Sequence, residues 1–165
     1  MYHHRLVISY KGTSYFGWQD LGESEQKPTV QASIHQALKI ICKYQSCTIS
    51  AASRTDAGVH AQGQVVKITI AIDIESEKIL RGMNSLLPDD IRILQCAPCT
   101  AEFNCNKDSK SKEYRYYFCT DPIYNPVLND IVMHIPCDSK ASVAESIDIE
   151  LMRRACKLFI GQHDF

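Results

Sequence analysis

The sequence has no surplus of charge of either sign: 18 lysines and arginines stand against 19 aspartates and glutamates, for a net charge of −1. That excludes a surface coated in positive charge, so any contact with nucleic acid must use a local patch. No apolar run approaches the length of a membrane span, and residues 1–10 lack the apolar stretch of a secretory signal. The expectation is a cytoplasmic protein without a membrane partner. Zinc-site spacing is also missing. Cys96-Ala97-Pro98-Cys99 is a single C-x-x-C, with no second one and no H-x-x-x-H to complete a ligand set. A redox-active C-x-x-C sits at a helix start, which lowers the thiol pKa; this one leaves a strand pattern. The eight cysteines (42, 47, 96, 99, 105, 119, 137 and 156) are scattered, and are expected to be reduced and mostly buried.

What is present suits a folded chain. Its 165 residues are 45% hydrophobic, enough for one domain and part of another. Residues 5–10 read as a strand, stopped by Lys11-Gly12-Thr13. Tyr15-Phe16-Gly17-Trp18-Gln19 is an aromatic cluster, either a cover for the core or a surface for a base or a partner. A polar loop over 21–27 leads to a helix with Thr29 as N-cap and Val30, Ile34, Leu38 and Ile41 at helical spacing. Strands follow over 47–52 and 64–70; in the latter Val66, Ile68 and Ile70 alternate with Val65, Lys67 and Thr69. A second helix over 75–87, with Ile79, Met83 and Leu87 on one face, ends at Pro88, and a fourth strand covers 91–96.

The order β-α-β-β-α-β defines an α+β, ferredoxin-like unit, an antiparallel sheet with two helices on one face. RNA-recognition modules share that order but carry stacking aromatics on the third strand, and residues 64–70 contain none. Beyond it, 112–120 predicts a strand with Tyr114, Tyr116 and Phe118 on one face, 131–135 a short strand, and 148–160 a helix capped by Asp148 with Gly161 behind it. These elements begin a second α+β unit without finishing it. Residues 1–106 are therefore expected to form one domain and 107–165 the incomplete opening of another, whose uncovered sheet edge calls for further chain or a partner.

Between the second and third strands lies Ser53-Arg54-Thr55-Asp56-Ala57-Gly58-Val59-His60. A polar octet between strands belongs on the surface. If it is locally extended, Arg54 and Asp56 point to the same side, where the guanidinium would keep the carboxylate ionised and aimed. An ordinary loop carrying a surface ion pair has the same composition.

Arg54-Thr55-Asp56-Ala57-Gly58-Val59-His60-Ala61 with Gly63-Gln64-Val65 resembles the catalytic signature of the tRNA pseudouridine synthase A (TruA) family. Further words match in order: residues 6–13 with 15–19 and 29–31, Asn84-Ser85-Leu86-Leu87-Pro88 with Asp90-Ile91, Lys112-Glu113-Tyr114-Arg115-Tyr116, and Gly161-Gln162-His163-Asp164-Phe165. Such an array is far more specific than one short motif. The resemblance implies a cofactor-independent, homodimeric isomerase that converts uridine to pseudouridine at positions 38 to 40 of the tRNA anticodon stem-loop, with no metal. It implies Asp56 as nucleophile, Arg54 as the residue that orients Asp56 and helps flip the base, and Tyr114 as the ring that stacks on the target uridine. His60, Lys107, Lys110, Lys112 and Arg115 are candidate RNA contacts, His60 being as well suited to a hydrogen bond that holds the loop. The sequence departs from the family pattern at Ser53, where glycine is usual, at Lys11, where aspartate is common, and at Phe103-Asn104-Cys105-Asn106, in place of Phe-His-Ala-Arg. The competing expectation is a catalytically inactive RNA-binding module of the same fold.

Overall fold

The computed structural model describes residues 1–20, 28–135 and 147–164. The loop expected over 21–27 and Cys137 lie outside them. The chain divides into two compact units, Met1–Lys112 and Glu113–Phe165.

The first unit begins with strand β1 (Tyr2–Tyr10), a 3-10 turn (Gly12–Ser14) and helix α1 (Val30–Ile41). Strands β2 (Cys47–Ala51) and β3 (Ala61–Ile70), helix α2 (Ser76–Leu86) and strand β4 (Ile91–Pro98) complete it. The sheet order is β2-β3-β1-β4, antiparallel at every pairing. This is the β-α-β-β-α-β topology expected from the periodicity. Leu6 and Ile8 of β1 align with Val66 and Gln64 of β3, so the alternation along both strands sends Leu6, Ile8, Val66, Ile68 and Ile70 to one face. Val30, Ile34 and Leu38 of α1 and Ile79 and Met83 of α2 close over that face. Each is fully buried, contributing about 1.5–3 kcal/mol of transfer free energy before entropy is set against it.

Local chemistry sets the ends of these elements. Thr29 Oγ1 accepts from the Ala32 amide at 3.3 Å, the N-cap of α1. Asn84 of α2 pairs with the backbone of β4 in both senses: Nδ2 donates to Ile93 O at 2.8 Å, and Oδ1 accepts from Ile93 N at 2.8 Å. Here β1 and β4 slip register, between Val7 and Ile8. The side-chain amide thus supplies the partners of an irregular edge position.

The segment after β4 lies over the other face of the sheet. Lys67 Nζ donates to Ala101 O at 2.6 Å and Phe103 O at 2.9 Å, and Cys105 buries its thiol 3.5 Å from Ser50 O. Asn104 Oδ1 accepts from the amides of Asn106 and Lys107, both at 3.0 Å. Asparagine at 104 therefore closes a local turn, a task its short amide suits.

In the second unit strands β5 (Phe118–Cys119) and β6 (Met133–His134) pair in parallel, and Asp148 Oδ1 caps helix α3 (Ile149–Cys156) at the Leu151 amide, 2.8 Å. The strand expected over 112–120 is confined to Phe118–Cys119. An alternating sequence becomes a strand only where a neighbour completes its ladder, and β6 offers two residues. Likewise only two of the five residues 131–135 are strand.

Candidate active site

The octet occupies the connection from Ala51, the last residue of β2, to Ala61, the first of β3. Its side chains alternate: Arg54 and Asp56 are exposed, while Ser53 and Thr55 are half-buried. The inner set is anchored. Buried Gln64 donates from Nε2 to Ser53 O at 2.6 Å, and the buried Tyr10 hydroxyl lies 2.8 Å from Thr55 Oγ1. Burial pushes the Tyr10 phenol up, with the Thr55 and Gln64 hydrogen bonds pulling the other way. It therefore acts as a neutral hydrogen-bonding group. The alternation over residues 53–56 is that of locally extended backbone, the condition under which Arg54 and Asp56 share a side; Ala57 and Gly58 then turn. The ion pair is not: among the described residues none joins Arg54 to Asp56. Both side chains stand in water, where such a pair gains little over two solvated ions.

The stretch after β1 braces the loop from the side. The Trp18 amide donates to Thr55 O at 2.9 Å and the Gly58 amide to Tyr15 O at 3.3 Å. Two glycines make this approach possible. At Gly17, φ +84°, a Cβ would sit 2.7 Å from Thr55 O and 3.2 Å from the Asp56 carbonyl carbon; at Gly12 it would sit 2.0 Å from Val59 O. The Gly12 amide donates to His60 Nδ1 at 3.0 Å. His60 thus holds the loop through that nitrogen, the structural alternative anticipated for it.

The aromatic cluster splits. Tyr15 and Trp18 belong to the core, 6% and 3% exposed, and Tyr15 Oη donates to Asp90 Oδ1 at 2.6 Å; Phe16 is 52% exposed. Burial, reinforced by Asp90, pushes the Tyr15 phenol far up. Tyr10 and Trp18 contact each other with ring centroids 6.0 Å apart. These supports were not anticipated. Tyr10 reads in the sequence as the end of a strand, and Gln64 as the start of one; the signal for both is the period of two that turns them inward.

Arg54, Asp56 and His60 share this one loop. Lys107, Lys110 and Lys112 are exposed on the segment after β4, where Lys112 Nζ donates to Asn106 Oδ1 at 3.3 Å. Tyr114, 67% exposed, and Arg115, paired with Glu113, belong to the second unit. The Cys96 and Cys99 thiols are both pushed up by burial, Cys96 to about 11, the opposite of a reactive redox thiol. Among the described residues no group of three or more His, Cys, Asp or Glu side chains is arranged to hold a metal.

The site is thus an exposed carboxylate on a loop held at one end of the four-stranded sheet by hydrogen bonds to Tyr10, Trp18, Tyr15 and Gln64. The sequence pattern described as tRNA pseudouridine synthase matches residues 6–106, and the chain belongs to that family. It is similar to tRNA pseudouridine synthase A 2 of Desulfotalea psychrophila, 52% identical over 168 residues that cover 100% of this chain and 63% of the relative. It is also similar to the tRNA pseudouridine synthase A proteins of Methylacidiphilum infernorum, 35% identical over 98% of this chain and 59% of the relative, and Listeria innocua, 34% over 100% and 62%. The chain therefore spans about three fifths of the length of the curated relatives it matches. No described helix is long and apolar enough to cross a membrane.

Proposed function

We propose that the complete protein carrying this chain is a tRNA pseudouridine synthase, an isomerase acting on uridines of the anticodon stem-loop, positions 38 to 40. The observation that carries this reading is Asp56, exposed at the crest of a loop whose inner residues are tied to Gln64 and Tyr10.

Asp56 acts as the nucleophile on the ribose C1′, where an ionised carboxylate displaces the base and the N1–C1′ bond breaks. The freed base turns, C5 bonds to C1′, and the carboxylate leaves. The C5 proton is lost and N1 ends protonated, so substrate and product are isomers and no electrons need be supplied. The target must first leave the stacked stem-loop, at a cost of about a few kcal/mol. Arg54, exposed two residues before Asp56, suits entry into the vacated space and orientation of the carboxylate as RNA arrives. Once RNA excludes water, the attraction between the two charges grows several-fold.

Tyr114 of the second unit is the stacking ring for the target uridine. Lys107, Lys110, Lys112 and Arg115 provide phosphate contacts, and His60 holds the loop, with its remaining ring edge a candidate RNA contact. The protein is read as cytoplasmic and homodimeric. Incubation with tRNA tritiated at C5 of uridine tests the reading. Release of tritium with conversion at the anticodon stem-loop is expected; tRNA left unconverted overturns the reading.

A further inference from the structure

Extraction of a uridine leaves its neighbours without a stacking partner, and a flat apolar face near the reacting carboxylate would offset part of that cost beside Arg54. Asp56 and Arg54 offer none. Among the described residues on or directly backing the 53–60 loop, the large exposed apolar side chains are Phe16 and Val59, and only Phe16 is flat.

The backbone on both sides of Phe16 is held in place. Its own amide donates to Pro28 O at 2.9 Å. Tyr15 before it is buried and accepts from the Gly58 amide, and Trp18 two residues on is buried and donates to Thr55 O. Gly17, directly after it, lies against the backbone of Thr55, Asp56 and Ala57, so closely that a Cβ would meet all three within 3.3 Å. The backbone that carries Phe16 is thus in contact with the backbone that carries Asp56. A ring on a rigid mount loses little freedom on binding, which favours its use as a contact. The core does not account for it, since Tyr15 and Trp18 fill that role and Phe16 remains 52% exposed.

We infer that Phe16 is a stacking platform for an unpaired nucleobase flanking the target uridine. This rests on the proposed synthase reading, and it adds a base-binding residue from the first unit. Stacking tolerates any base, so Phe16 sets affinity for an opened stem-loop rather than sequence preference.

The test uses the complete protein and an anticodon stem-loop hairpin with 2-aminopurine next to the target uridine, whose fluorescence reports stacking. Phe16→Ala is expected to raise Kd about tenfold and to abolish the fluorescence change on binding. Phe16→Tyr should stay within about twofold of the unsubstituted protein, while Phe16→Leu, apolar but not flat, should resemble Phe16→Ala. Thermal midpoints should be alike across the series, because the side chain is exposed. Binding by Phe16→Ala within about twofold of the unsubstituted protein, or full rescue by leucine, overturns the inference. Pseudouridine formation measured in parallel keeps the two claims apart. An active protein indifferent to Phe16 defeats only the platform; an inactive protein defeats the synthase reading, while the binding series still decides the platform.

Discussion

The Tyr10 hydroxyl lies 2.8 Å from Thr55 Oγ1, so the residue between Arg54 and Asp56 is tied to the end of the first strand. Tyr10 is 4% exposed and fixed by its ladder to β3 and β4. Removing either hydroxyl frees the inner side of the loop while leaving both charged side chains in place. Tyr10→Phe and Thr55→Val should each cost about 1 kcal/mol of stability, the worth of one hydrogen bond. Each should lower kcat about tenfold with KM little changed, because positioning and not RNA contact is lost. The double variant should be no worse than either single one. Steady-state kinetics on the three variants checks this; additive losses would contradict it.

Gly17 and Gly58 both have positive φ, +84° and +80°, yet differ in their surroundings. A Cβ at Gly58 meets nothing within 4 Å, whereas one at Gly17 sits 2.7 Å from Thr55 O. Gly58→Ala should cost only the left-handed backbone strain, about 1–2 kcal/mol. Gly17→Ala adds a clash with backbone that cannot step aside, and should cost about 2 kcal/mol more. Urea unfolding of the two variants measures the difference; equal losses would contradict the close approach.

Asn84 joins α2 to β4 through two hydrogen bonds of 2.8 Å to Ile93. Asn84→Asp keeps an acceptor but loses the donor and sets a charge against Ile93 O. A loss of about 1–3 kcal/mol is expected, read as a fall in the urea midpoint; a loss below about 0.5 kcal/mol would show that the pairing is not structural.

His4 is buried and its Nδ1 lies 3.0 Å from Ser76 Oγ. Burial pushes its imidazole below the ordinary 6.5, with Asp73 opposing and His3 adding to the fall. The unfolded chain therefore takes up a proton that the folded chain resists. The stability this histidine lends is present above 6.5, and is lost as the pH falls through that value towards the lowered folded one. His4→Gln should flatten this part of the profile. The urea midpoint of the unsubstituted chain should fall more steeply between about pH 7 and pH 5 than that of the variant; parallel profiles would contradict the assignment.

Most of the first unit was legible because each element carries its own period. Val30, Ile34 and Leu38 recur at helical spacing and are buried; Val66, Ile68 and Ile70 recur at strand spacing and are buried. The segment around Tyr114 was not, because its alternation is a property of the segment and a strand is a property of a pair. The octet was legible as an exposed loop, since its polar backbone has nowhere else to go. Its supports were not: Gly12 reads as part of a strand stop and Gly17 as the middle of an aromatic cluster, and only the fold shows that the loop presses on their missing side chains. The Arg54–Asp56 pair failed for a related reason. Spacing puts two charges on one side, but water decides whether they meet.

The central claim is that Asp56 carries out the reaction, and Asp56→Asn in the complete protein tests it most directly. Asparagine is nearly the same size and the side chain is exposed, so the thermal midpoint and the affinity for a stem-loop hairpin should be retained. Tritium release from uridine C5 should fall to the background of tRNA alone, since the amide cannot serve as the nucleophile. Turnover within about tenfold of the unsubstituted protein would contradict the account.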